Sequence, residues 1–304
     1  MLRIRFLFDS PAAFELKALA RNRTSAVTNA RQPSLDADVL SYYTRRAEES
    51  RLDRGLSQLE RIRTQELIAR HAPATPATFL DVGGAAGAYA FWLADAGYIV
   101  HLVDPVPRLI DEARVRNAGA HRPLHSITVA DARALTQSTG IADSVLLLGP
   151  LYHLTTAVDR NQALAEARRV LRPGGILFAA AISRWASVLD GLVHDTLAAP
   201  DFAAAADRAA HDGQHRNPTA RDGLFTTAYF HKPDELRDEI VAAGFDIIAL
   251  YGVEGPARMF ADFDARWANG RQRAEMLRIA SLVETEPSLL GLSGHLLLVA
   301  RQPA

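Results

Sequence analysis

The chain reads as an α/β protein built on a mostly parallel sheet, and two observations carry that reading. Beyond the turn-rich stretch His71-Ala-Pro-Ala-Thr-Pro-Ala, short apolar runs alternate with longer helix-patterned segments, as parallel strands joined by crossover helices require. The first apolar run ends in Asp81 and turns at once on Gly83, Gly84 and Gly87 before a helix-like stretch begins. In open α/β sheets such a turn brings backbone N–H groups against a ligand beyond the strand ends.

Taken in order, residues 1–36 form an N-terminal extension: an apolar patch from Leu2 to Phe8, a mixed basic stretch to Arg31 and the breaker Pro33. Residues 37–304 form the main domain. Between Asp36 and Arg70 the charges are dense, and Leu52, Leu56, Leu59, Ile62 and Leu67 recur near helical spacing, which predicts two helices with one apolar face. Strands are expected at 78–82, 98–103, 125–129, 143–148, 175–182, 245–251 and 294–301. Helices are expected at 87–96, 107–117, 157–171 and 233–243, the third closed by Arg172-Pro-Gly-Gly and the fourth by Gly244. Residues 184–230 interrupt the alternation with Ala-rich helical sequence and a polar loop around His211-Asp-Gly-Gln-His-Arg-Asn-Pro, a length that points to a functional lid insertion. Residues 257–286 make a second helical excursion.

Composition removes several classes of function. The net charge is −1 and no long basic stripe runs through the chain, so a nucleic-acid partner lacks an electrostatic driving force. Cysteine is absent, which excludes disulfides, thiolate metal sites and a cysteine nucleophile. His211, Asp212 and His215 sit in a polar loop without a matching acidic cluster, so no metal site is expected. No apolar stretch reaches the roughly 18 residues of a membrane span, and no signal-peptide pattern opens the chain, so a cytoplasmic protein is expected.

Asp81 and Asp104 lie at or just past the ends of successive strands, and an acidic side chain after the second strand accepts hydrogen bonds from ribose hydroxyls. Asp131 follows a third apolar run. A nicotinamide dinucleotide is the rival ligand, but an Asp next to the turn repels a pyrophosphate, whereas a zwitterionic amino-acid moiety can pair its ammonium with that carboxylate. In order, Asp81-Val-Gly-Gly-Ala-Ala-Gly, Asp104-Pro, Ala130-Asp131-Ala-Arg, Leu146-Leu-Leu-Gly-Pro-Leu-Tyr-His-Leu and Leu171-Arg-Pro-Gly-Gly resemble the motifs of class I S-adenosylmethionine-dependent methyltransferases. The resemblance spans about residues 40–302. It implies a Rossmann-like seven-stranded sheet with the last strand antiparallel, helices on both faces, and a helical N-terminal cap. It also implies S-adenosylmethionine as cofactor, with S-adenosylhomocysteine as product. On that basis Gly83, Gly84, Ala85 and Gly87 approach the methionine and ribose portions, Asp104 with Pro105 the ribose, Asp131 with Ala132 the adenine, and Leu148 with Gly149 the sulfonium. One departure stands out: the family's middle glycine is Ala85, whose methyl fits if φ is negative and crowds the ligand if φ is positive.

Methyl transfer from a sulfonium is an in-line displacement, so the protein chiefly aligns the reactants, and a hydroxyl or ammonium acceptor also needs a proton acceptor. Tyr152 and His153, just past the fourth strand, are the first candidates: His153 as general base, Tyr152 as pocket wall. His231, leading out of the insertion, is a third candidate, and its alternative is a helix-start residue before Lys232-Pro. Tyr43 on the N-terminal helices is placed to cover the cofactor, and Arg63 to pair with its carboxylate. The expected activity is methylation of a small-molecule acceptor, with specialised metabolism as a setting. The alternatives are a non-methylating reaction that uses the same cofactor, or a non-catalytic cofactor-binding partner.

Overall fold

Seven strands line up in the order β3-β2-β1-β4-β5-β9-β8 in the computed structural model, which describes residues 35–45, 52, 54–217, 221 and 223–304. The expected N-terminal extension, residues 1–36, lies almost wholly outside the described residues. The strands are β1 (Thr78–Val82), β2 (Ile99–Asp104), β3 (Ser126–Val129), β4 (Ala142–Leu147), β5 (Leu171–Ser183), β8 (Asp246–Gly252) and β9 (His295–Arg301). Strands β1 to β5 run parallel, and β9 runs antiparallel to both β5 and β8, as the resemblance implied for the last strand.

Both faces of the sheet are covered, which explains why its central strands read as continuous apolar runs rather than alternating ones. Leu80, Val145 and Leu177 face a core closed by α6 (Ala157–Val170) and α9 (Pro233–Ala242). Their neighbours Phe79, Leu146 and Phe178 point to the other side, where α2 (Ser57–His71), α3 (Ala88–Asp95) and α4 (Pro107–Ala118) pack. Helix α6 stops at Val170, one residue short of expectation, because Leu171 already pairs with Ala142 of β4 and draws Arg172-Pro-Gly into the strand.

The N-terminal stretch supplies α1 (Ala37–Arg45) and α2, and one turn of helix, α5 (Pro150–His153), follows β4. Segment 184–230 folds as α7 (Ala186–Val193), α8 (Pro200–Asp212) and a hairpin of β6 (Gln214–His215) with β7 (Ala228–His231). Strand β7 pairs in parallel with Ile182 and Ser183 of β5, beyond the point where β4 ends. The hairpin therefore extends the sheet directly above the carboxyl end of β4. The second excursion contains α10 (Phe263–Ala268) and α11 (Gly270–Leu282). Among the described residues no helix is long and apolar enough to cross a membrane.

Candidate active site

Asp81 is the next-to-last residue of β1 and is hydrogen-bonded in register between β2 and β4, so its carboxyl is buried at the centre of the sheet. Its Oδ2 has no hydrogen-bond partner. The turn folds directly over this group: a Cβ on Gly84 would lie 2.4 Å from Asp81 Oδ2 and 2.5 Å from Leu102, so only glycine fits. Burial, reinforced by the charge of Asp104 and partly offset by an amide hydrogen bond from Ala90, pushes the Asp81 carboxyl up to about 7.

Asp104 closes β2 and is oriented by the backbone on both sides. Its Oδ2 accepts from the Ala85 N–H at 2.9 Å, and its Oδ1 accepts from the Val106 N–H at 2.8 Å. Ala85 has φ 50°, the positive value at which its methyl points toward the ligand side. A left-handed alanine costs roughly 1–2 kcal/mol, and what the conformation delivers is the amide hydrogen bond that sets the Asp104 carboxylate.

These groups line a cavity of about 960 Å³ at the carboxyl ends of β1, β2 and β4, together with Gly83, Pro105, Asp131, Ala132, Leu148, Gly149 and Tyr43. The Gly83 turn touches the β4 turn, since a Cβ there would lie 2.8 Å from the Pro150 ring. Asp131 is fixed by Arg133, which donates from its backbone N and Nε to Oδ1 at 2.9 Å and from Nη2 to Oδ2 at 2.8 Å. Gly87 does not line the cavity; at φ 83° it begins α3.

A second cavity of about 270 Å³ opens beside the first, walled on one side by residues of 184–230 such as Phe202, Phe225 and Phe230. Tyr43, Glu60, Tyr152 and His295 line both cavities and so form their junction. His153 lines the first cavity, with Nε2 2.8 Å from the Tyr43 hydroxyl and Nδ1 3.4 Å from the Thr227 carbonyl oxygen. Its ring thus joins α1 to the loop that enters β7.

Two residues proposed from the sequence stand elsewhere. Arg63 is buried, but its guanidinium donates to the carboxylates of Glu66 and Glu284, while Glu60 and Thr64 are the α2 residues that face the first cavity. His231 is buried under β7 with Nε2 3.3 Å from Glu239, on the side away from the second cavity, because Phe230 occupies the inward position and strand neighbours alternate. Burial, opposed by Glu239, lowers its pKa.

Sequence reasoning missed Glu60, Glu254 and His295. His295 opens β9, and its Nδ1 lies 2.6 Å from Glu254 Oε1, while its backbone N–H donates to Glu254 Oε2 at 2.9 Å. Burial alone would raise the Glu254 carboxyl, but the charge and hydrogen bonds of His295, with Arg258, hold it down to about 2. Glu60, Glu254 and His295 each bring a donor atom within 4.8 Å of the others. Nδ1 is committed to Glu254, which makes this a hydrogen-bonded acid–imidazole pair. No local signal marks it, since the two residues are 41 positions apart.

Residues 80–179 match a family model described as a methyltransferase domain. The chain is 31% identical over 135 residues to the ubiquinone/menaquinone biosynthesis C-methyltransferase of Acidiphilium cryptum, covering 41% of this chain and 50% of that protein. It is 33% identical over 178 residues to the malonyl-[acyl-carrier protein] O-methyltransferase of Geobacter sulfurreducens, covering 58% of each. The chain therefore spans about half the length of the curated relatives it matches. A crystal structure of an S-adenosylmethionine-dependent methyltransferase from Methanosarcina mazei shares the fold, with a TM-score of 0.53, 17% identity, and coverage of 78% of this chain and 97% of that one. Residues 80–179 thus match a methyltransferase domain, and the fold is one shared with S-adenosylmethionine-dependent methyltransferases.

The cofactor of that family fits the first cavity on physical grounds. An ammonium group would satisfy the buried, unpartnered Oδ2 of Asp81, and the oriented Asp104 carboxylate is an acceptor suited to ribose hydroxyls. The site lies where strand order reverses about β1 and β4, the place where ligands bind in open α/β sheets.

Proposed function

We propose that this methyltransferase transfers a methyl group from S-adenosylmethionine to a small-molecule acceptor seated in the second cavity, enclosed by α1 and by segment 184–230 as a lid. The observation that carries the reading is the pair of adjoining cavities, one holding the acidic strand ends and the other walled by the insertion. When bound, the cofactor supplies a methyl carbon already activated by its sulfonium. Asp81 would pair with its ammonium, Asp104 would hold the ribose, and Asp131 with Ala132 would border the adenine. Leu148 and Gly149 would border the reacting end, near the junction that Tyr152 lines and beside the His153–Tyr43 pair that ties α1 to the lid. The two curated relatives are named as C- and O-methyltransferases, so the acceptor pocket, not the cofactor site, decides which atom is methylated. The neutral overall charge supports a small molecule over a nucleic acid.

Titration calorimetry with S-adenosylhomocysteine tests the cofactor half. Asp104→Ala is expected to weaken binding by about 1–3 kcal/mol, and an unchanged affinity would overturn the ribose assignment. Release of S-adenosylhomocysteine during turnover tests the reaction, since a non-methylating enzyme releases none.

A further inference from the structure

Two buried polar atoms on side chains that line the second cavity have no partner, and they are of opposite kinds. His215, in β6, has no exposed surface and stacks on Phe230 with ring centroids 5.0 Å apart. Its Nδ1 lies 3.1 Å from the Thr226 carbonyl oxygen, a contact that needs an N–H on that nitrogen. Burial, partly opposed by the same hydrogen bond, pushes the pKa down to about 4, so the ring is neutral at neutral pH. Nε2 therefore carries a lone pair, and among the described residues nothing donates to it.

Arg258, in the stretch after β8, lines the same cavity and is 8% exposed. Its Nη1 is buried and finds no acceptor among the described residues. Gly294, another wall residue, leaves room for the guanidinium, since a Cβ there would lie 3.4 Å from Arg258 Cζ and Nε. The charge of this guanidinium is already balanced. Nη2 stands 3.8 Å from Asp190 Oδ1, and against burial His295 and Arg258 hold the Glu254 carboxyl down to about 2. Nη1 thus offers a hydrogen bond rather than an uncompensated positive charge, which suits a carbonyl oxygen better than a further carboxylate.

Aromatic rings, Tyr42, Tyr152, Phe202, Phe225 and Phe230 among them, supply flat apolar wall. The volume of about 270 Å³ lies near the lower limit of small-molecule sites, roughly 300–1,000 Å³. We propose that the second cavity recognises a small uncharged aromatic molecule through two handles, a hydroxyl that donates to Nε2 of His215 and a carbonyl oxygen that accepts from Nη1 of Arg258. This rests on the methyltransferase reading above and names the class of acceptor for it. Both residues choose the acceptor, and neither takes part in the displacement. A ligand that lacks either handle leaves a buried group unpaired where water cannot replace it, so the pair rejects near analogues as well as binding the right one.

The probes are 3- and 4-hydroxybenzamide, titrated by calorimetry into the protein saturated with S-adenosylhomocysteine. The tighter isomer is compared with its methoxybenzamide, which has lost the donor, with the corresponding methylphenol, which has lost the carbonyl, and with the corresponding hydroxybenzoate, which carries a charge. The wild type is expected to bind the hydroxybenzamide at least about ten-fold tighter than the first two, and tighter than the hydroxybenzoate. His215→Phe keeps a ring against Phe230 and should cut the preference over the methoxy compound to under three-fold while leaving the preference over the methylphenol. Arg258→Met should do the reverse. A general loosening of the cavity would weaken all the probes together, so the crossed pattern separates recognition from structural damage. Neither residue lines the cofactor cavity, and S-adenosylhomocysteine affinity within two-fold of wild type is the control for folding. The wild-type series stands even where a variant does not fold. A wild type that binds S-adenosylhomocysteine but none of the probes, or that prefers the hydroxybenzamide to either uncharged analogue by less than ten-fold, refutes the two-handle site. Tighter binding of the hydroxybenzoate refutes the uncharged class, and a preference that survives substitution of its own handle refutes that residue's role. Failure of S-adenosylhomocysteine to bind would instead overturn the methyltransferase reading.

Discussion

Replacing Asp81 by Asn in the ligand-free protein should change how stability depends on pH. The carboxyl titrates near its ordinary value of 3.8 in the unfolded chain and at about 7 in the folded one, because burial and Asp104 both oppose its charge. Below pH 4 both states hold the proton and stability is at its full value. Between pH 4 and 7 the unfolded chain ionises first, so native stability contributed by the protonated carboxyl is lost, and above pH 7 the loss is complete. The full difference amounts to about 4 kcal/mol, at about 1.4 kcal/mol per pH unit. Urea denaturation of wild type and Asp81→Asn at pH 5 and pH 8 cancels the titration of every other group, provided the substitution leaves them unperturbed. The variant's advantage should grow by about 2–3 kcal/mol over that interval. Adding S-adenosylhomocysteine should reverse the order at pH 8, because its ammonium pairs with the ionised carboxylate only in wild type. A difference between the two proteins that stays flat from pH 5 to 8 would refute the account of Asp81 as a buried, unpaired acid awaiting a cation.

Ala85→Gly relieves the left-handed alanine, and after allowance for the larger backbone entropy of an unfolded glycine it should stabilise the protein by about 0.5–1 kcal/mol in urea denaturation. A destabilised variant would contradict the positive φ. Arg63→Met removes a buried guanidinium from Glu66 and Glu284, and since Arg70 still reaches Glu284 the loss should fall near the lower end of the usual range, about 3 kcal/mol. S-adenosylhomocysteine affinity, measured by calorimetry on the folded variant, should move less than two-fold; a ten-fold loss with unchanged stability would return Arg63 to the cofactor.

The features legible before folding are those that one βα unit encodes locally. Asp81, the Gly83–Gly84 turn and Asp104 could be placed beside one cavity because a strand, a turn and a helix are contiguous in the chain, and the strand's end necessarily places its last side chains at the sheet's carboxyl edge. The alternation of apolar runs likewise determined the parallel core and its helical cover on both faces.

Tertiary structure alone decided which distant groups meet. Nothing in the spacing of α2 shows that Arg63 would find Glu284, 221 positions away, rather than a ligand. Strand parity sends Phe230 into the second cavity and His231 behind it, and parity is knowable only once Ile182 and Ser183 of β5 set the register. The pairs His295–Glu254 and Tyr43–His153 exist because β9 returns between β5 and β8 and α1 packs on the helical turn after β4, which no local pattern records. Local sequence thus determined where a cofactor could sit, since that depends on one turn's backbone. The chemistry next to it depends on side chains brought together by long-range burial, and so only the folded chain could decide it.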